Sequence, residues 1–307
     1  MTKKNKRFFV SVAVIVVSLL SIDFLIGKIG DYAMKIMPAY SGQVAKNNFR
    51  LNRVSTDVVI IGSSRGAHHY VTTMLCDSIN NYTGKNYSAY NAAIDGNFIN
   101  SNSCAAESIL DRYAPKLLIF EVSEWELAGG QAEKDMEFAA VNYNNNRIVK
   151  RYIDDLGWKE KVKVSSNMFR YNQMLLRIAS SFFKKGDESG YEPLYQKMTI
   201  IPEKQSSNNS HTIDDYSLTN FERVLKTAKD KGVLMVVVSS PCFDPTDNNL
   251  FLKELCEKYD TPYIDCYNID SFNQHPEYFK DNIHLNDDGA HIYTSLFFEQ
   301  IKPLIKT

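Results

Sequence analysis

The stretch Asp57-Val-Val-Ile-Ile-Gly-Ser-Ser-Arg-Gly66 decides how this 307-residue chain folds. Four β-branched apolar residues in a row, closed by a glycine, predict a short strand buried on both faces. The Gly-Ser-Ser segment then turns the chain, and residues 67–81 have helical spacing. The pattern repeats downstream. Residues 87–93 are a second strand candidate, 100–113 a helix that Pro115 ends, and 116–122 a third strand. The strands start at 57, 87 and 116, the spacing of βαβ units with right-handed crossovers.

From about 124 to 215 the rhythm stops. This Tyr- and Asn-rich stretch is mostly helical in pattern and too long for a loop, so it reads as an insertion. The rhythm then resumes with an amphipathic helix over 218–231, capped by Gly232. A clear buried strand follows at 233–239, then a helix at 250–259, a short strand at 262–265 and a closing helix at 287–305. The expected fold is α/β: a three-layer α/β/α sandwich around a five-stranded, mainly parallel sheet.

Composition fits a globular chain, with 44% apolar and 23% charged residues. Only 14 Gly and 5 Cys exclude collagen-like and disulfide-scaffold classes. Net charge is −1, but residues 1–30 carry Lys3, Lys4, Lys6, Arg7 and Lys28 against Asp23, leaving the rest at −5. An acidic body without a basic stripe argues against a nucleic-acid partner, whose phosphates would need neutralising. Cys76, Cys104, Cys242, Cys256 and Cys266 are odd in number and show no zinc spacing. They are expected to be mostly small buried hydrophobes, with one bridge left open. No metal or cofactor is expected.

The basic cluster at 3–7 precedes an apolar run from Phe8 to Ile26 broken only by Asp23. Nineteen helical residues reach about 28 Å, close to the ~30 Å hydrocarbon core. No small-x-small cleavage site follows, so the run is expected to be an uncleaved signal-anchor rather than a removed signal peptide or a core helix. Positive charge stays cytoplasmic, which places the body outside the cytoplasm. The expected organisation is a basic tail at 1–7, a transmembrane helix at 8–27, a juxtamembrane segment at 28–54 and one domain at 55–307.

Ligands of parallel sheets bind at the carboxyl ends of the strands. Two polar groups fall there. Gly62-Ser63-Ser64-Arg65-Gly66 fits G-x-S-x-G between strand and helix, a context that exposes Ser64 beside helix N–H groups. It also fits a polar turn that caps a helix. Asp281 and His284, three residues apart before the last helix, suit a carboxylate that orients an imidazole base. A surface loop with a chance histidine has the same letters.

The pair of motifs resembles the SGNH (GDSL-like) hydrolase superfamily, with its flavodoxin-like fold. In that family the nucleophile follows the first strand and D-x-x-H precedes the last helix. The resemblance implies Ser64 as nucleophile, His284 as base and Asp281 as its orienting acid. It implies the N–H groups of Ser64 and Gly96 as oxyanion donors. The family's third block is usually an Asn. Here the place falls at Ser123 or Glu124, with Asn97 or Asn100 as substitutes. An α/β-hydrolase is disfavoured, because there several strands precede the nucleophile. Membrane-anchored members with Gly-Ser-Ser resemble proteins that move acyl groups on envelope polymers, such as polysaccharide O-acetyltransferases.

The function expected is therefore a membrane-anchored, extracytoplasmic serine esterase or O-acyltransferase on acyl groups of cell-surface carbohydrate. Its partners would be that acylated substrate, the membrane and a membrane acyl donor. The alternative is an inactive scaffold or glycan-binding protein of an envelope-assembly complex. His68, His69, His211 and His275 read as structural or loop residues. His284 and His291 lack further ligands for a metal, and Asp287 and Asp288 suit the last helix's N-terminus. The insertion carries Trp125, Trp158, Phe169, Tyr171, Tyr191 and Tyr195, for stacking on sugar or for its own core. It is expected to wall the Ser64 site, with a docked helix over 169–178.

Overall fold

The computed structural model describes residues 2–40, 42–128, 132–172, 174–184, 186–199, 212–243 and 249–306. The helices are α1 (Lys3–Ile36), α2 (Gln43–Asn52), α3 (Ser64–His69), α4 (Thr72–Thr83), α5 (Ile99–Arg112) and α6 (Ala132–Asp135). They continue with α7 (Arg147–Asp155), α8 (Trp158–Ser165), α9 (Asn167–Tyr171), α10 (Met174–Ser181) and α11 (Asp215–Asp230). The last three are α12 (Leu250–Lys258), α13 (Asp270–Asn273) and α14 (Asp287–Ile301). The strands are β1 (Val58–Ile61), β2 (Ala89–Asn91), β3 (Leu117–Glu121), β4 (Leu234–Ser239) and β5 (Tyr263–Asp265).

All five strands pair in parallel, in the order β2-β1-β3-β4-β5. The period-2 alternation of each strand divides two cores. Val59, Ile61, Leu118, Phe120, Met235 and Val237 pack on one face with side chains from α5, α7, α11 and α12. Val58, Ile60, Leu117, Ile119, Val236 and Val238 pack on the other with α4 and α14. This is the α/β/α sandwich expected. The chain leaves β1 in one direction for β2 and crosses back for β3, so the carboxyl end of β1 is the topological switch point.

The helix expected over 67–81 is two helices. Tyr70 is extended between α3 and α4, its hydroxyl reaches Glu121, and the Val71 N–H donates to Thr294 Oγ1 at 2.9 Å. Tertiary partners break the helix there. Gly232 has φ +64 and ends α11 as expected. The closing helix stops at Ile301, and Pro303 lies in a single 3-10 turn, Lys302–Leu304.

The N-terminal region departs most from expectation. α1 does not stop near residue 27 but runs to Ile36, about 51 Å in all. It is long and apolar enough to cross a membrane, and residues 2–22 are exposed on every side. Its last turns pack into the body through buried Met34 and Met37. The segment 28–54 thus holds the last turns of α1 and all of α2. α2 lies deep, with Arg50 fully buried and bonded to Asn47 Oδ1, Asn102 Oδ1 and Ser101 Oγ at 2.9–3.0 Å.

The segment 124–215 splits in two. Helices α6 to α10 pack on α1, α2 and α5. The expected helix over 169–178 is instead α9 and α10, with Asn172 in a turn after α9. Residues 189–198 run along the carboxyl edge of the sheet. The Ser189 carbonyl accepts from Asn91 N–H, Glu192 N–H donates to the Ala67 carbonyl, and Met198 N–H to the Phe279 carbonyl.

Candidate active site

Ser64 opens α3 directly after β1. Every residue from Val58 to Thr72 is buried except Ser64, so the turn presents a single side chain. The two glycines of the motif permit close packing. A Cβ on Gly62 would lie 2.8 Å from Glu121 Cβ, and one on Gly66 2.7 Å from Ala93 Cβ.

His284 arrives from the other end of the chain. Its Nε2 lies 2.7 Å from Ser64 Oγ, and its Nδ1 lies 2.9 Å from each Asp281 oxygen. Asp281 Oδ1 also accepts the N–H groups of Ile283 and His284 at 3.1 and 3.0 Å, which locks the three-residue turn. Partial burial pushes the Asp281 carboxyl up, but bonding to His284 and those N–H groups outweighs it and leaves it below the usual carboxylate range. A carboxylate on Nδ1 holds that nitrogen protonated and leaves Nε2 to accept the serine proton.

The loop that carries His284 is pinned from below. His69, expected as structural, accepts the Leu285 N–H on Nε2 at 2.9 Å and meets Ser240 Oγ through Nδ1 at 2.8 Å. Burial, with Arg65 next, drives its pKa well down, so the ring is neutral and Nδ1 carries the proton. Ser240 Oγ passes on to Glu121 Oε1 at 2.9 Å. Arg65 pairs with Glu121 at 3.2 Å and bonds the Ser123 hydroxyl. Burial opposes the Arg65 charge, but Glu121 and Glu126 hold its pKa above its usual value. Glu126 is the counterpart: burial pushes it up to about 8. Burial raises the Glu121 carboxyl as well, against the pull of Arg65 and of its Tyr70 and Ser240 hydrogen bonds, and Glu126 is protonated at neutral pH.

Gly96, the expected oxyanion donor, has φ +71 and lies on an exposed turn. That turn is tied to the serine turn by Ile94 N–H to the Gly62 carbonyl at 3.1 Å. Among the described residues, neither the Ser64 nor the Gly96 N–H has a hydrogen-bond acceptor. The other expected donors face elsewhere. Ser123 is fully buried with its hydroxyl on Arg65. The Asn97 amide donates to Ser101 Oγ at 3.1 Å, and the Asn100 amide to Ser217 Oγ at 3.0 Å. Each is committed to packing, so no third side-chain donor stands at those positions.

Sequence reasoning missed Asp95. Its Oδ1 lies 2.9 Å from His68 Nε2, while His68 Nδ1 meets the Glu192 carbonyl at 2.5 Å. Both ring nitrogens thus face acceptors. Burial works against a charged ring, but Asp95 and the carbonyl outweigh it and raise the His68 pKa. The ring meets His284 edge-on at 5.7 Å. His68, Asp95 and Glu192 bring ligand-type atoms within 4.8 Å of one another. Lys46 Nζ already sits 2.8 Å from Glu192, so the cluster reads as an internal ion-pair group rather than a metal centre.

The remaining expected residues disperse. His275 stacks on Tyr278, His291 is exposed, and His211 lies outside the described residues. Asp287 accepts from the Tyr191 hydroxyl at 2.8 Å, Asp288 pairs with Lys197, and Asn286 caps α14. Tyr171 is buried, Trp125 meets Phe98 edge-on, and Tyr195 is 77% exposed on the strip beside the site. All five cysteines are free thiols. A surface cavity of about 680 Å³ lies at the opposite, amino-terminal edge of the sheet, lined by Lys116, Gly232 and Pro262, away from Ser64.

No protein-family model matches the chain, and no curated protein matches it in sequence. Among solved structures, a Bacteroides fragilis protein proposed to be an acylhydrolase aligns with 81% of this chain and 88% of its own. Identity is 12% and the TM-score 0.37, too distant a likeness to say what this chain does.

Proposed function

We propose that this chain is an SGNH-type serine esterase or O-acyltransferase, held at a membrane by α1 and acting outside the cytoplasm on acylated cell-surface carbohydrate. The observation that carries the reading is the unbroken relay from Asp281 through His284 to the one accessible side chain of its turn, Ser64. Ser64 Oγ attacks the ester carbonyl carbon while His284 Nε2 takes its proton. The oxyanion receives the unpaired N–H groups of Ser64 and Gly96, at the positive end of a helix. Collapse expels the alcohol, protonated by His284, and leaves an acyl-enzyme. Water or a sugar hydroxyl, deprotonated by His284, then attacks the acyl carbon and releases Ser64.

Retention of α1 is supported by its continuity with the body beyond the apolar run. The exposed Tyr195 and the 40%-exposed Ile283, next to His284, supply apolar faces of the kind that pack on sugar rings. A second reading, an inactive glycan-binding scaffold, is favoured by one observation: Ser123, Asn97 and Asn100 all turn away from the site. Fluorophosphonate labelling separates the two. Wild type should label and Ser64→Ala should not. Equal labelling of both removes Ser64 as nucleophile, and no labelling of a folded wild type favours the scaffold.

A further inference from the structure

Among the described residues, thirteen large apolar side chains outside α1 are exposed, and eight of them lie between Trp158 and Phe183. Exposed apolar residues scattered singly need no explanation, but a concentrated set marks an interaction surface. On α8, Trp158 and Val162 are 71% and 61% exposed and, four residues apart, share one helix face. Lys159, Lys161 and Lys163 lie on the same helix. α10 turns Met174, Ile178 and Ser181 inward and leaves Leu176 84% exposed, and Phe183 just beyond it is 89% exposed.

The position of this surface identifies what covers it. α9 sits on α1 at the end of the apolar run. Asp23, the run's one charge, accepts the Ser166 hydroxyl at 2.7 Å, the Met168 N–H at 2.8 Å and the Asn167 amide at 2.9 Å. A charge at that depth is tolerated only with such partners. Asp23 precedes the end of the run by three residues, or about 5 Å along the helix. Gly27 and Gly30 continue the contact, since a Cβ on either would lie 2.5 Å from the Asn167 or Tyr171 side chain. A bilayer that takes up residues 8–26 therefore has its boundary level with the start of α9 and the end of α8 that leads into it, while α10 packs farther along, on Met34 and Met37. Trp, apolar residues and snorkelling Lys are what such a boundary selects.

We propose that α8 and the start of α9 form a platform seated in the lipid interface around α1, so that the domain rests on the membrane rather than hanging from a tether. The proposal rests on the reading of α1 as a retained anchor. The test uses the full chain in phospholipid nanodiscs, with Trp125→Phe leaving Trp158 as the single tryptophan. Lipids that carry a doxyl group near the headgroup should quench Trp158. Iodide should quench it about fivefold less than in the urea-unfolded chain, as for a side chain buried at the acyl boundary. Phe169→Trp, with both native tryptophans replaced by Phe, should behave alike and covers a failure of either variant to fold, since Phe169 is exposed on α9 beside Asp23. Leu19→Trp in that background reports on the anchor itself. Lipid quenching of Leu19→Trp with Trp158 and Phe169→Trp open to iodide would overturn the platform and leave the anchor standing. Quenching of none would overturn both. Shielding from iodide without lipid quenching would assign the surface to a protein contact instead.

Discussion

Asp281→Asn changes one atom of the relay, and the surrounding turn dictates where that atom goes. Asp281 Oδ1 is held by the N–H groups of Ile283 and His284. An amide nitrogen cannot accept those bonds, so the substituted side chain keeps its oxygen there and turns its NH2 toward His284 Nδ1. That nitrogen must then accept, and the ring proton moves to Nε2. An Nε2–H facing Ser64 Oγ, 2.7 Å away, is a donor and cannot take the serine proton. The loss expected for a wrong-tautomer base is about 10³–10⁴ in acyl-enzyme formation, or roughly 4–5.5 kcal/mol of barrier. Stability should change little, because the Asp281 side chain is 43% exposed. The assay is the second-order rate of fluorophosphonate labelling, with the p-nitrophenyl acetate burst as a second readout and thermal melts as the folding control. A folded variant that labels within about tenfold of wild type would refute the tautomer argument.

Three further outcomes follow from buried groups and one turn. Glu126 titrates at about 8 when folded against 4.5 ordinarily, so from pH 4.5 to 8 the folded chain keeps a proton that the unfolded chain releases. Wild type should lose stability across that window and level off above it, and Glu126→Gln should gain on it by up to about 5 kcal/mol, an upper bound set by 1.36 kcal/mol per unit. Urea melts at pH 5 and pH 8 that show a constant difference would refute this. His68 has the opposite sign: its pKa is raised above 6.5 in the folded state, so its stabilisation is full below pH 6.5 and lost as pH rises through the folded value. The stability gap between wild type and His68→Gln should therefore shrink from pH 6 to pH 9 in the same melts, and a gap that widens contradicts the His68–Asp95 pair. Gly96→Ala meets no atom within 4 Å, so only its φ of +71 opposes it, at about 1–2 kcal/mol. Labelling should slow at least tenfold as the N–H swings away from the oxyanion, and an unchanged rate would remove Gly96 from that role.

The parts of this protein legible in its sequence are those whose cause is local. Val58–Ile61 reads as a strand because all four side chains are buried whichever face they take. Asp281 and His284 read as a pair because three residues of turn bring them together. Joining them to Ser64 needs topology as well. The carboxyl end of β1 and the start of α14 lie on the same edge only because the sheet is parallel and reverses its order at β1. What was illegible depends on partners far along the chain. Nothing near Tyr70 announces that α3 must stop, since its hydroxyl partner is Glu121. Glu121 itself offered a faint sign, as the one acid in the apolar strand Leu-Leu-Ile-Phe-Glu. A charge there can be buried only against a cation, and Arg65 of the serine turn is that cation.

The same pairing explains why a polar network lies beneath a site that uses none of its members directly. Glu121 binds Ser240 by two donors, Ser240 meets His69, and His69 holds the N–H of Leu285. Two strands, the serine turn and the histidine loop are thereby fixed to one another through directional bonds. Apolar packing alone would leave the loop free to slide by fractions of an ångström, which a 2.7 Å Ser64–His284 contact does not tolerate. On the proposed mechanism Arg65, His69, Glu121 and Ser240 position the relay, and their burial follows from what they hold in place.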